Sequence, residues 1–147
     1  NQRPLIPGAE GVFRLLNEKQ VITAVITGSF DALAQRAKKE LGITYAFAHC
    51  KLYFNKKGLL KSWELYSTDY EHKADFVKKI ADENNISLAE CAYIGDDVND
   101  IEAFKIVGRS IAFNAPKIKV RQNAHVVIES LNLKAILSHL YKVIALD

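Results

Sequence analysis

The chain has 147 residues, 49% hydrophobic and 25% charged, with seven glycines and three prolines, which excludes disordered and fibrous classes. Its net charge of +3 comes from lysines spread along the chain, which speaks against nucleic acid as a partner and weakly for anionic small molecules. No apolar run approaches the ~18 residues needed to cross a bilayer, and Cys50 and Cys91 lack metal-ligand spacing, so the expectation is one domain with free thiols in the cytoplasm, neither secreted nor membrane-bound.

In chain order, a turn at Pro7 and Gly8 leads into AEGVFRLLNEK, where Val12, Leu15 and Leu16 have helical spacing. VITAVIT follows as a β-branched, buried strand. Phe30, Leu33, Ala34, Ala37 and Leu41 then mark one face of an amphipathic helix, with Gly42 placed to end it in a left-handed conformation. AHCKLYF and LLKSWELY flank NKKG and predict a protruding β-hairpin. Thr68 and Glu71 have capping-box spacing for a helix carrying Ala74, Val77, Ile80 and Ala81, which Asn84 and Asn85 close. CAYIG reads as a strand, followed by a helix through Ile101 and Phe104 that stops at Gly108. RSIAF and AHVVI read as short strands, and a terminal helix starts near Leu131. This alternation predicts an α/β fold, a mostly parallel sheet covered by helices on both faces, plus the hairpin.

In such sheets ligands bind beyond the carboxyl ends of the strands. Three places there carry chemistry. In ITGSF, the hydroxyls of Thr27 and Ser29 and the free backbone N–H groups around Gly28 converge at a strand-to-helix junction suited to an anion; the plainer alternative makes Ser29 a helix cap and Gly28 a turn residue. In IGDDVND, Asp96, Asp97 and Asp100 crowd the first turn of a helix, an oxygen-rich cluster suited to a hard cation such as Mg2+. Complementing the helix dipole would account for one or two of these carboxylates, but not readily for three plus Asn99. Lys73 could bridge a bound phosphate and a carboxylate, or be an ordinary solvated lysine.

Thr27, Lys73 and the Asp96 cluster, in this order and at these separations, resemble motifs II, III and IV of the haloacid dehalogenase superfamily. The similarity is nearest to the phosphoserine phosphatase type. It is carried by PGAE, ITGSF, the hairpin, EHKADFVKKIADENNI and GDDVNDIEAFKIVGRSIAFNAP, from about Pro7 to about Ile128. The resemblance implies a Rossmann-like, three-layer α/β/α core and a phosphomonoester hydrolase that uses an aspartyl-phosphate intermediate on a small phosphorylated metabolite. It also implies that Thr27 binds the transferred phosphoryl oxygen, Gly28 and Ser29 complete the phosphate cradle, and Lys73 neutralises charge on phosphate and nucleophile. Asp96 would ligate Mg2+, Asp100 would ligate it or hold its waters, and Asn99 would lie near the phosphate. Asp97 stands where many relatives have glycine, which suggests a more acidic site or a second ligand. The GDD spelling also occurs in capless sugar-phosphate phosphatases, which lack this hairpin. GDDVND is shared with P-type ATPase phosphorylation domains too, but those carry an aspartate after TG and membrane spans.

Motif I of the superfamily, a nucleophilic aspartate with a second aspartate two residues later, has no counterpart here, since the sequence contains no Asp-x-Asp. Its strand would lie between VITAVIT and CAYIG, so its absence leaves two apolar strand edges roughly 10 Å apart. A chain that opens on Asn1 and has no methionine is therefore expected to be the C-terminal part of the core, with motif I and the cap upstream or on a separate N-terminal fragment. A catalytically inactive binding or regulatory domain is the alternative. KVIALD, ending at Asp147, could read as a permuted strand, but Leu133, Ile136, Leu137, Leu140, Val143 and Ile144 keep helical spacing through it.

Overall fold

A computed structural model describes residues 4–65, 73–141 and 143. The Thr68–Glu71 capping box and Asp147 lie outside the described residues. In chain order the elements are α1 (Ala9–Glu18), β1 (Ala24–Phe30), α2 (Asp31–Leu41), β2 (Tyr45–Phe54), β3 (Leu60–Leu65), α3 (Lys73–Glu83), β4 (Ala92–Gly95), α4 (Ile101–Ile106), β5 (Arg109–Phe113), α5 (Ile118–Gln122), β6 (Val126–Ile128) and α6 (Leu137–Leu140). Short 3-10 turns cover Leu88–Glu90, Val98–Asp100 and Leu133–Ile136.

The strands form two sheets. In one, β1 runs parallel to β2, whose distal half pairs antiparallel with β3 as the expected hairpin. In the other, β4, β5 and β6 are all parallel. Strands β1 and β4 are each the last strand on one side of their sheet.

Helices cover both faces, and the pleat of β5 decides which side chains meet them. Ile111 and Phe113 point to one side and pack with Val12 and Leu16 of α1, Ile136 and Leu140. Ala112 points to the other and packs with Ile101 and Phe104 of α4, Ala115 and Val120, as strict two-residue alternation requires. Helix α1 also reaches the first sheet, because Ala9 and Phe13 share a cluster with Leu41, Ile43 and Val25. One helix thus spans both sheets on this face. On the other face, Phe47 of β2 meets Phe76 of α3, with ring centroids 4.6 Å apart.

Two expectations need correction. The strand read over VITAVIT instead runs Ala24–Phe30. Thr23 and Thr44 exchange bonds from each backbone N–H to the other's hydroxyl oxygen, both 3.3 Å, and the ladder begins only at Ala24 opposite Tyr45. Thr27, Gly28 and Ser29 therefore lie within the end of a strand, across a register shift between Thr27 and Phe30, rather than in a turn after it. Helix α2 accordingly starts at Asp31, without a side-chain cap. Its apolar stripe is buried at Ala34 and Leu41, while Phe30 and Leu33 are 46% and 47% exposed because they lie at the helix's open N-terminal end. Gly42 does close α2 in the left-handed conformation, φ 68°. Helix α5 was not legible from its five residues, of which only Val120 is buried.

Candidate active site

The loop after β4 is organised by Asp100, which is 3% exposed. Its Oδ2 accepts from the backbone N–H groups of Asp96 and Asp97, both at 3.0 Å. Its Oδ1 accepts from Lys73 Nζ at 2.7 Å and from the Tyr93 hydroxyl at 2.9 Å. Four donors on one buried carboxylate fix the loop after β4 to β4 itself and to α3, and the charge-assisted bonds among them are the stronger class. Tyr93 feels the consequence: burial first, and the adjacent Asp100 charge second, raise its hydroxyl pKa well above the usual range, so it stays protonated and donates to Asp100. The carboxylate also lies flat against Gly95, where an added Cβ would overlap Asp100. Gly95→Ala should therefore displace Asp100 and lower stability by about 1–3 kcal/mol, the usual cost of overpacking, read as a shift in the urea midpoint at unchanged slope.

Lys73 opens α3 and is buried, not solvated. Besides Asp100, its ammonium donates to Asn99 Oδ1 at 3.2 Å. This bond fixes the Asn99 amide: its oxygen faces Lys73, and its NH2 lies 3.8 Å from where a Cβ on Gly28 would stand. The end of β1 and the turn after β4 are thus neighbours across the gap between the two sheets, with Lys73 bonded to that turn. At the β1 end, the Ser29 N–H donates to Thr27 Oγ1 at 3.1 Å, so the Thr27 hydroxyl proton is directed elsewhere.

The three acidic side chains do not share one role. Asp97 accepts from the Val98 N–H and from Lys117 Nζ, each at 2.7 Å, and caps the 3-10 turn reciprocally with Asp100. These bonds hold its carboxyl below the usual aspartate range, with Lys117 the leading cause. A carboxyl favoured as the anion in the fold contributes stability above its unfolded pKa of about 3.9, and that contribution is lost as pH falls through the lowered folded value. Both partners are about half exposed, Lys117 52% and Asp97 47%, so solvent screening limits the pair to no more than about 1 kcal/mol. Lys117→Met should cost that much at neutral pH, and progressively less as pH falls through the lowered folded pKa of Asp97; denaturant curves across the acid range measure it.

Asp96 differs. Its carboxylate stands at the surface of the loop and accepts from no side chain among the described residues. Partial desolvation first, then the Asp100 and Asp97 charges, push its pKa up. An aspartate penalised as an anion at a strand end fits a site for a divalent cation, which would relieve that penalty. Among the described residues no three carboxylate, thiol or imidazole groups converge as a metal cage; Mg2+ retains several waters and takes one or two carboxylates, and an exposed strand-end aspartate fits that demand. Asp96 would hold the ion, while Asp100 accepts from the Asp96 backbone N–H and so fixes the loop that carries it.

Sequence reasoning passed over Tyr93 and Lys117. A tyrosine two residues before the strand-end glycine, in a strand flanked by helices, needs a partner for its hydroxyl. Lys117 follows the carboxyl end of β5, where the strand-end rule looks for site residues.

The haloacid dehalogenase-like hydrolase family matches residues 1–108. The phosphoserine phosphatase of Methanocaldococcus jannaschii is 33% identical over 133 residues, which cover 90% of this chain and 62% of that protein. Two solved phosphoserine phosphatase structures superpose closely. A phospho-aspartyl intermediate analogue has a TM-score of 0.83 at 32% identity, covering 93% of this chain and 65% of that one. A substrate-bound complex has 0.82 at 33% identity, covering 92% and 63%. The chain belongs to the haloacid dehalogenase-like hydrolases. Within that family its similarity is to phosphoserine phosphatases, and it spans less than two thirds of the length of these relatives.

Proposed function

We propose that these residues form the phosphate- and cation-binding side of a magnesium-dependent phosphomonoester hydrolase, phosphoserine phosphatase-like, acting on a small phosphorylated metabolite. The observation that carries this reading is the buried Lys73–Asp100 pair with Asn99 at the turn after β4, the Asn99 NH2 lying beside Gly28 at the end of β1. Lysine has three N–H donors. Two are committed to Asp100 and Asn99, which leaves the third for a phosphoryl oxygen. The Thr27 hydroxyl and the Asn99 NH2 supply two more donors from opposite sides of the gap. Preorganised donors of this kind stabilise charge spreading over a phosphoryl group in transfer, where positioning and electrostatics do most of the work. Mg2+ at Asp96 would add Lewis-acid neutralisation of the phosphoryl oxygens.

The attacking carboxylate is assigned to a strand seated between β1 and β4, outside these 147 residues. It would form the aspartyl-phosphate that the phosphoserine phosphatase analogue represents. The absence of Asp-x-Asp from the sequence also supports a second reading, a non-catalytic domain that binds a phosphorylated ligand. Initial rates of phosphate release from phosphoserine and a panel of phosphomonoesters, with the native polypeptide, separate the two. The phosphatase reading expects turnover that requires Mg2+ and stops with chelator. Ligand binding without turnover of any ester would leave the binding domain.

A further inference from the structure

The β2–β3 ribbon carries an apolar face that stands exposed among the described residues. Its orientation follows from the pleat. Tyr45 and Phe47 point toward α3, since Phe47 stacks on Phe76 and Tyr45 accepts from Asn84. Val25, packed in the α1–α2 cluster, pairs with Ala46. Even-numbered residues of β2 therefore face the α1–α2 side, and so do their partners in β3. Leu52 lies opposite Trp63, Phe54 opposite Leu60 and Cys50 opposite Leu65, which puts every large apolar side chain of β3 on that one face. The reverse face carries Lys51 opposite Glu64 and Tyr53 opposite Ser62. Trp63 and Leu65 are 62% and 63% exposed, and Phe54 and Leu60 are 58% and 52%. Phe30, paired with Cys50, and Leu33 at the start of α2 continue the patch toward the body of the domain.

We propose that this face is a two-fold interface with a second copy of the chain. The exposed fractions of these six side chains amount to roughly 600–700 Å² of apolar surface, larger than the biggest patch on most monomers. It is close to the roughly 800 Å² per partner of a standard interface. The charges at its two ends are complementary. The ribbon tip bears Lys56 and Lys57 in the turn, and the opposite end bears Asp31, the first residue of α2. A two-fold axis through the patch reverses its long direction, so each lysine tip lies over the Asp31 end of the other copy, as an isologous contact requires. Trp63, near the centre, is the anchor.

Sedimentation velocity of the native polypeptide from micromolar to submillimolar concentration tests this, beside Trp63→Lys and, as a second variant, Leu65→Lys. Both positions are exposed, and unchanged circular dichroism verifies that each variant folds. The expected result is a monomer–dimer equilibrium whose dissociation constant rises at least about tenfold in either variant and also rises with salt. A monomer throughout, or a dimer indifferent to both substitutions, overturns the proposal. So does Trp63 emission, taken by difference against Trp63→Phe, that is shielded from quencher in a monomer, because the covering segment would then be part of the same chain. The outcome is independent of whether the active site hydrolyses phosphate.

Discussion

Asp96→Asn should reduce phosphomonoester hydrolysis by at least ~10³-fold, about 4 kcal/mol in the barrier, while leaving the cation-free protein as stable as the parent or slightly more so. The two halves of this result have one cause. The Asp96 carboxyl is pushed above its ordinary pKa by partial burial and by the neighbouring Asp100 and Asp97 charges. A carboxyl whose anion is disfavoured in the fold subtracts stability at neutral pH, and that penalty is lost as pH falls through the raised folded pKa toward the unfolded one. Asparagine removes the penalty and the cation ligand together. Thermal unfolding with and without Mg2+ reads both: the parent should gain melting temperature with added Mg2+ by linkage, and the variant should not. Full activity at saturating Mg2+, or an unchanged Mg2+ response, would remove Asp96 from the cation site.

The second large effect is at Lys73. Its ammonium and the Asp100 carboxylate are 9% and 4% exposed and 2.7 Å apart, and deleting one partner of a buried pair leaves an uncompensated charge. Lys73→Met should cost about 3 kcal/mol of stability, the low end of the range for such pairs, because Tyr93 and two backbone N–H groups still serve Asp100. It should also lower kcat by at least ~100-fold with a smaller change in KM, as expected for a donor whose contact strengthens in the transition state. A double-mutant cycle with Asp100→Asn separates these contributions. Strong coupling in stability is expected, and a pure KM effect would count against a catalytic Lys73.

Much of this site was legible because strand ends and apolar periodicity are local signals. CAYIG, RSIAF and the helix through Ile101 and Phe104 declare themselves within a few residues, and the strand-end rule then points to Asp96 through Asp100. What was not legible depended on partners distant in sequence. Lys73 has the look of a surface lysine until α3 docks and buries it against Asp100, 27 residues away. The three aspartates look equivalent in a row, yet Lys117, 20 residues on, engages Asp97, and Asp100 is used up by four donors. Of the three, Asp96 is the one whose carboxylate accepts from no side chain among the described residues. The boundary of β1 depended on Thr23 and Thr44 meeting before the ladder starts, which no single segment reveals.

The arrangement of the helices explains how two sheets can present one site. Helix α1 packs on β5 and on Val25 of β1, while Lys73 ties α3 to the loop after β4. These contacts hold the ends of β1 and β4 in register without a hydrogen-bonded ladder between them. A strand entering there would find Gly28 and Asn99 already in place.

The most direct test of the account is phosphorus NMR of inorganic phosphate with the native polypeptide and Mn2+ in place of Mg2+. If Asp96 holds the cation beside a phosphate gripped by Thr27, Asn99 and Lys73, the phosphate resonance should broaden sharply when protein and Mn2+ are both present. That broadening should be lost in Asp96→Asn, and Lys73→Met should weaken phosphate binding. Broadening that is the same in the parent and in Asp96→Asn, or no phosphate binding at all, would contradict a shared phosphate and cation site between β1 and β4.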